Sequence, residues 1–286
     1  MISFQNDASA LYLGATREFS AGCVALFGVG FDSTTSFRPG TRLGPDAIRM
    51  VSDGLETYSP EQDRDTEDVT FCDLGNLEHP YGNPNPVVEA VHAATAEIVA
   101  KGGHPLMIGG EHSLTPPAVR ALWEKYPDLV LVQWDAHADL RQDYLGEPNS
   151  HACAMRRCLD FLDKDSLVQV GIRSGTREEF QEMRGEERLV APTAKSFAER
   201  MDRFKGRPVY LTVDLDVFDP AYLPGTGTPE PGGIDWPTFA AMLKVLDDFK
   251  LVAADVMELS PALDPTGVSS VLGCKVVREL ILHLGR

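Results

Sequence analysis

Positive charge is scarce in this chain. Its 286 residues carry 26 Lys and Arg against 43 Asp and Glu, a formal net charge of −17 at pH 7. Such a balance repels nucleic acid and anionic membrane surfaces and modestly favours cationic ligands, so neither nucleic acid nor a membrane is expected as a partner. No apolar run approaches the roughly 20 residues needed to span a bilayer. The N-terminus holds Asp7 and no basic segment ahead of an apolar one, so the expected location is the cytoplasm. The five cysteines, Cys23, Cys72, Cys153, Cys158 and Cys274, form no C-x-x-C pair and are odd in number. That argues against a disulfide framework and a thiolate zinc site and leaves them as small buried hydrophobes. Internal repeats, low-complexity tracts and long linkers are absent as well.

What is present is an ordinary globular composition, 43% hydrophobic and 24% charged, arranged as alternating strand-like and helix-like segments. This pattern predicts a single α/β domain over residues 1–286. Eight strands are expected near 23–29, 69–74, 104–109, 129–134, 167–171, 188–191, 207–213 and 250–257. Helices are expected over 45–52, 86–101, 116–126 with Thr115 as N-cap, 151–163, 176–184, 195–204, 236–248 and 266–284. Crossovers of this length imply a parallel sheet covered on both faces.

Three apolar runs end in residues able to ligate metal. Leu129–Trp134 runs into Asp135, His137 and Asp139; Val209–Val213 runs into Asp214 and Asp216; Leu106–Ile108 is followed by Gly109, Gly110 and then His112. At a spacing of two, extended backbone points alternate side chains to one side, so each set converges if strand geometry persists. The plain alternative for one such motif is a pair of helix-capping carboxylates beside a satisfied histidine. Several strand ends in one parallel sheet, however, deliver residues to the same crevice. Four carboxylates gathered there without a cation would repel one another, and two divalent ions are the natural compensation. Carboxylates with a minority of imidazole and no thiolate suit manganese. A calcium loop starting at Asp214 is excluded by Asp219 at its sixth position and Gly225 at its twelfth. Two such ions would lower the pKa of a shared water, which points to metal-assisted hydrolysis.

Taken together, Gly110-Glu-His112, Asp135-Ala-His-Ala-Asp139, Ser150-His151, Asp214-Leu-Asp-Val-Phe-Asp-Pro220, Gly225-Thr-Gly-Thr-Pro229 and Glu258-Leu-Ser-Pro261 resemble the ureohydrolase (arginase and agmatinase) family. The segment Arg38 to Arg49 resembles that family's N-terminal region, so the match runs nearly end to end. The resemblance implies a three-layer α/β/α sandwich around an eight-stranded, mainly parallel sheet. It implies two Mn²⁺ per subunit, one held by His112, Asp135, Asp139 and Asp214 and the other by Asp135, His137, Asp214 and Asp216, with Asp135 and Asp214 bridging. It further implies that hydroxide attacks a guanidinium carbon, releasing urea and an amine, in a homotrimer or homohexamer. In that scheme Glu258 accepts hydrogen bonds from the guanidinium, His151 shuttles the proton the departing amine requires, and Asp139 joins them at the reacting centre.

The rim loops 31–44, 140–150 and 217–233 are long for a compact domain and carry the choice of substrate. Residues 140–152 resemble bacterial and archaeal agmatinases and lack the Asn-containing segments of arginases, which favours agmatine, cleaved to putrescine and urea. Asp143 and Glu147 would either attract its ammonium or form a solvated loop face, whereas Arg141 would suit a carboxylate such as that of guanidinobutyrate. Other guanidino-acid ureohydrolases of the guanidinobutyrase, arginase or formiminoglutamase type remain as alternatives. So does a non-catalytic ligand-binding homologue, against which stands the presence of every ligand and of His151.

Overall fold

The computed structural model describes residues 3, 4, 11–80, 82 and 84–286; Asp7 lies outside them. The chain builds β1 (Val24–Val29), α1 (Gly44–Ser52), β2 (Tyr58–Ser59), β3 (Arg64–Asp65), β4 (Phe71–Asn76), α2 (Pro84–Ala100), β5 (His104–Gly109), α3 (Thr115–Lys125) and β6 (Val130–Trp134). It continues with α4 (Ala154–Cys158), β7 (Leu167–Val170), α5 (Arg177–Gly185), β8 (Leu189–Val190), α6 (Ala194–Met201), β9 (Pro208–Asp214), α7 (Trp236–Val245), β10 (Lys250–Met257) and α8 (Val268–Leu284). Eight strands form one sheet in the order β4-β1-β5-β10-β9-β6-β7-β8, and every pairing in it is parallel. All eight expected strands are there.

The sheet is buried on both sides, which is why its strands read as apolar runs instead of alternating ones. Side chains nonetheless part by a period of two. In β6, Val130, Val132 and Trp134 face a core shared with α1, α6, α7 and α8, while Leu131 faces the core under α2, α3, α4 and α5. The result is three layers, α/β/α. Trp134 ends β6 fully buried, with Phe197 and Phe239 set edge-on at 5.6 and 5.3 Å. That wedge of aromatic contact fixes where the chain leaves the sheet just before Asp135.

Two expectations need correction, and one element was not anticipated. The helix expected over 151–163 is only a 3₁₀ turn, His151–Cys153, and α4, Ala154–Cys158. It is tied back by Arg156 N–H donating to the Asp139 carbonyl. Thr115 does not cap α3: the N-cap is Leu114, and the Thr115 hydroxyl instead donates to Asp255 at 2.9 Å. The hairpin β2–β3 had no periodic signal because each strand is two residues long. Side chains dock it on α8, with Ser59 Oγ donating to Glu279 at 2.7 Å.

The edge of the sheet is tied to α1 by a buried ion pair. Arg49 Nε and Nη2 reach the two oxygens of Asp73 at 2.7 and 2.9 Å, with Asp73 fully buried. Removing one partner strands a desolvated charge, so Arg49→Met is expected to lower unfolding stability by about 3–5 kcal/mol. A chemical-denaturation midpoint unchanged from wild type would contradict that reading.

Candidate functional site

The four central strands of the sheet, β5, β10, β9 and β6, lie side by side, and the residues singled out from the sequence follow their carboxyl ends. His112 follows β5, Glu258 follows β10, Asp214 closes β9 with Asp216 after it, and Asp135, His137 and Asp139 follow β6. This is the crevice in which parallel sheets assemble sites. The glycine just after β5 is required by close approach. A Cβ on Gly110 would lie 1.8 Å from the Phe31 carbonyl oxygen. A larger residue there would push loop 31–44 off the site.

Convergence is not achieved by pleating, as the spacing of two had suggested. The strand ladders stop at Trp134 and Asp214, and the chain then turns. Asp135 Oδ1 accepts the His137 N–H at 2.6 Å, and Asp214 Oδ1 accepts the Asp216 N–H at 2.9 Å. Each aspartate therefore bends its own backbone so that residue i+2 comes to the same side. Asp139 and Glu258 hold φ of +53° and +68°, a left-handed conformation that costs non-glycine residues energy and gathers at functional sites.

The side chains fall into two groups that share Asp135: His112 with Asp135 and Asp139, and Asp135 with His137 and Asp216. His112 Nδ1 lies 3.1 Å from Asp135 Oδ2, 3.2 Å from Asp214 Oδ2 and 3.4 Å from Asp139 Oδ2. His137 Nδ1 lies 2.9 Å from Asp216 Oδ2 and 3.7 Å from the other oxygen of Asp135. One carboxylate thus faces both imidazoles, and all four aspartates are at most 7% exposed.

This arrangement fits divalent cations. His112 Nε2 is 2.8 Å from Thr212 Oγ1, while its buried Nδ1 has no hydrogen-bond partner although three carboxylate oxygens surround it. A nitrogen and three oxygens aimed at one point make a coordination set. The electrostatics agree. Burial alone would lower the His112 and His137 pKa values, but the carboxylates outweigh it, raising His112 well above its usual range and His137 to about 12. Burial and neighbouring carboxylates raise Asp139 and Asp214 well above the carboxylate range. For Asp135 burial also acts upward, yet the two histidines that face it leave it lowered.

A cavity of about 240 Å³ opens over this cluster, and His151, Arg141, Tyr144, Ser36, Glu179 and Glu258 are among its walls. Glu258 Oε1 accepts the His112 N–H at 2.8 Å. Burial, then the nearby Glu111 carboxylate, raise the Glu258 pKa well above normal, so a cation entering here would relieve it. Burial pushes His151 down to about 4, which leaves it a neutral imidazole at physiological pH. Arg141 is exposed at the rim, its guanidinium 5.5 Å over the Tyr144 ring. Asp143 stands apart from the cavity, its carboxylate accepting the Gly146 N–H at 3.0 Å in an exposed turn. Glu147 likewise turns to the Asn149 N–H at 2.8 Å.

Sequence reasoning missed several residues. Arg173, just past β7, donates to the carbonyls of Asp216 at 2.6 Å and Glu230 at 2.8 Å, clamping loop 217–233 to the site. Nothing in its local pattern signals this. Thr34 and Ser36 lie in a loop flagged for its length alone, and Glu111 adjoins a residue that was flagged.

A doubly covered parallel sheet with two imidazole–carboxylate groups sharing one aspartate defines an α/β protein with a metal-binding site at its strand ends. The chain belongs to the arginase family, whose model matches residues 23–283. It is 37% identical over 276 residues to the agmatinase of Bacillus subtilis (strain 168), covering 95% of each chain. The crystal structure of agmatine ureohydrolase of Thermoplasma volcanium superposes with a TM-score of 0.82 at 34% identity, covering 98% of this chain and 94% of that one. The proclavaminate amidinohydrolase of Streptomyces clavuligerus superposes with a TM-score of 0.89 at 31% identity, covering 96% and 97%.

Because protons sit where cations would bind, metal uptake must expel them, and affinity must fall as pH falls. Manganese titration of the metal-free protein followed by calorimetry in buffers of different ionisation enthalpy should register net proton release. It should also give weaker binding at acidic than at neutral pH. A pH-independent affinity with no proton release would count against this cluster as the binding site.

Proposed function

We propose that this protein is a ureohydrolase that cleaves agmatine to putrescine and urea. The observation that carries the reading is the cavity itself, in which a buried Glu258 carboxylate faces the same space as the shared-aspartate cluster. The names of the Bacillus subtilis and Thermoplasma volcanium relatives support agmatine as the substrate.

In this reading His112, Asp135, Asp139 and Asp214, and Asp135, His137, Asp214 and Asp216, would hold two manganese ions, whose contribution would be to activate water near neutral pH. Glu258 receives the planar guanidinium through hydrogen bonds to its carboxylate and compensates the charge. The strained backbone at Glu258 and its bond to the His112 N–H hold that carboxylate still, so binding does not have to order it. His151, which lines the same cavity, takes up a proton and returns it to the nitrogen of the departing amine. The exposed rim accommodates the aliphatic amine. The cytoplasm is the proposed location, supported by five free, buried cysteines and, among the described residues, by the absence of a helix able to cross a membrane. The proposed assembly is a homotrimer or homohexamer, and sedimentation as a 31.3 kDa monomer would overturn it.

One observation favours a second reading. Arg141 at the rim, with Asp143 and Glu147 turned to backbone N–H groups, suits a substrate ending in a carboxylate. Urea release from agmatine, arginine and 4-guanidinobutyrate in manganese buffer, with chelated enzyme as control, separates the two. Highest kcat/KM on agmatine is expected, and equal rates in chelated enzyme would defeat the metal reading.

The three roles predict three signatures. Asp135→Asn should lose manganese and turnover together. Glu258→Gln should raise KM, with kcat/KM falling about 10- to 100-fold. His151→Asn should retain manganese while kcat falls by about 10²- to 10⁴-fold, with partial rescue by added imidazole. A His151 variant depleted of manganese would mean that His151 serves as a ligand and not as a proton carrier.

A further inference from the structure

We infer that Thr34, held in place by Glu111, is a positioning residue that fixes which ring nitrogen of His151 carries the proton, leaving Nε2 as the atom that exchanges a proton with the reacting centre. This rests on the proton-carrying role given to His151 above. Glu111 is fully buried, and three donors converge on its carboxylate. They are the Thr34 N–H at 2.8 Å, the Thr34 hydroxyl at 2.5 Å and the Ser113 hydroxyl at 2.5 Å. A threonine hydroxyl has one hydrogen, and here it goes to Glu111 in a short bond. Thr34 Oγ1 can therefore only accept on its other side.

What lies on that side is His151. Its backbone N–H donates to Thr34 Oγ1 at 3.0 Å, and its ring Nδ1 sits 3.4 Å from the same oxygen and 3.5 Å from Ser150 Oγ, a rotatable hydroxyl that can accept there while Thr34 can only accept. A bare Nδ1 lone pair would face the lone pairs of Thr34; a protonated Nδ1 finds an acceptor. The neutral ring thus carries its hydrogen on Nδ1, and Nε2 keeps the free pair. Nε2 points the other way, 3.1 Å from Ser36 Oγ, which lines the same cavity as Glu258. Ser36 has a rotatable hydroxyl and can donate to Nε2 in the resting ring or accept from it once the ring is charged.

Thr34 is held firmly enough to do this. Loop 31–44 folds around Asp32, whose Oδ2 accepts the Gly40 N–H at 2.8 Å and the Arg42 N–H at 3.3 Å. The loop also lies against β5 through the Glu111 N–H, which donates to the Phe31 carbonyl at 2.8 Å. Glu111 therefore touches the shuttle only through a hydroxyl, and its effect is one of orientation.

The test has a spectroscopic arm and a kinetic arm. Protein labelled with ¹⁵N in histidine and loaded with cadmium as a diamagnetic ion should show His151, identified by its absence in His151→Asn, with hydrogen on Nδ1. Thr34→Val should lose that preference and Thr34→Ser should keep it. In manganese-loaded enzyme, Thr34→Val should lower kcat by about 10- to 100-fold at unchanged KM and manganese content, and Thr34→Ser should recover most of it. If Thr34→Val does not fold, Glu111→Gln serves: its amide can donate to Thr34 Oγ1, turn the hydroxyl toward His151 and shift the proton to Nε2. A wild-type ring protonated on Nε2, or wild-type kcat in Thr34→Val, overturns the inference. If no guanidino compound yields urea, the functional reading fails, while the tautomer spectrum still decides whether Thr34 sets the ring.

Discussion

Everything in this molecule is arranged around a repulsion. Four aspartates, none more than 7% exposed, converge with two histidines, and like charges about 4 Å apart repel by about 4 kcal/mol even at an effective dielectric of 20. Such a cluster persists only where the backbone leaves it no alternative and a cation compensates it. Asp135 is the pivot, because its two oxygens face different imidazoles and so tie two groups into one site. Gln133 steadies it through a 2.7 Å bond to the oxygen that faces His112.

The scaffold meets that demand with stiffness. The site-bearing strands are the four central ones of a sheet buried on both faces, where packing is dense and relaxation is costly. Strain is concentrated where the chain leaves them: Asp139 and Glu258 occupy left-handed backbone conformations at a cost of about 1–3 kcal/mol each. The Glu258 N–H donates to the Gly110 carbonyl at 2.9 Å, and Gly110 in turn carries the Phe31 contact. One glycine thus links the Glu258 carboxylate, the His112 turn and loop 31–44.

The rim of the cavity is built at a different level from the His/Asp cluster. The floor is built from strand ends, whereas the rim is built from loops 31–44, 140–150 and 217–233, the last held in a fixed shape by Arg173 and by Asp219, which accepts the Gly232 and Gly233 N–H groups. Leu145 at the tip of the second loop is 94% exposed at φ +53°. A rim made this way can change its charges without disturbing the cluster beneath it.

By itself the sequence determined the fold class, all eight sheet strands and the residues of the cluster. A strand buried on both faces must be a continuous apolar run, and a metal ligand at its end interrupts that run abruptly; both signals are local. Tertiary structure alone decided how the ligands meet. The spacing of two suggested a pleat, but the aspartates at 135 and 214 turn their own backbone, a choice made only once packing of Trp134 and its neighbours ends the ladder. Tertiary structure also decided that Asp143 turns away from the cavity, that Arg173 clamps a loop 57 residues away in sequence, and that Glu111 reaches His151 through Thr34. Those contacts join residues far apart in the chain, and a hydrogen bond between distant residues leaves no periodicity in either segment from which it could be read.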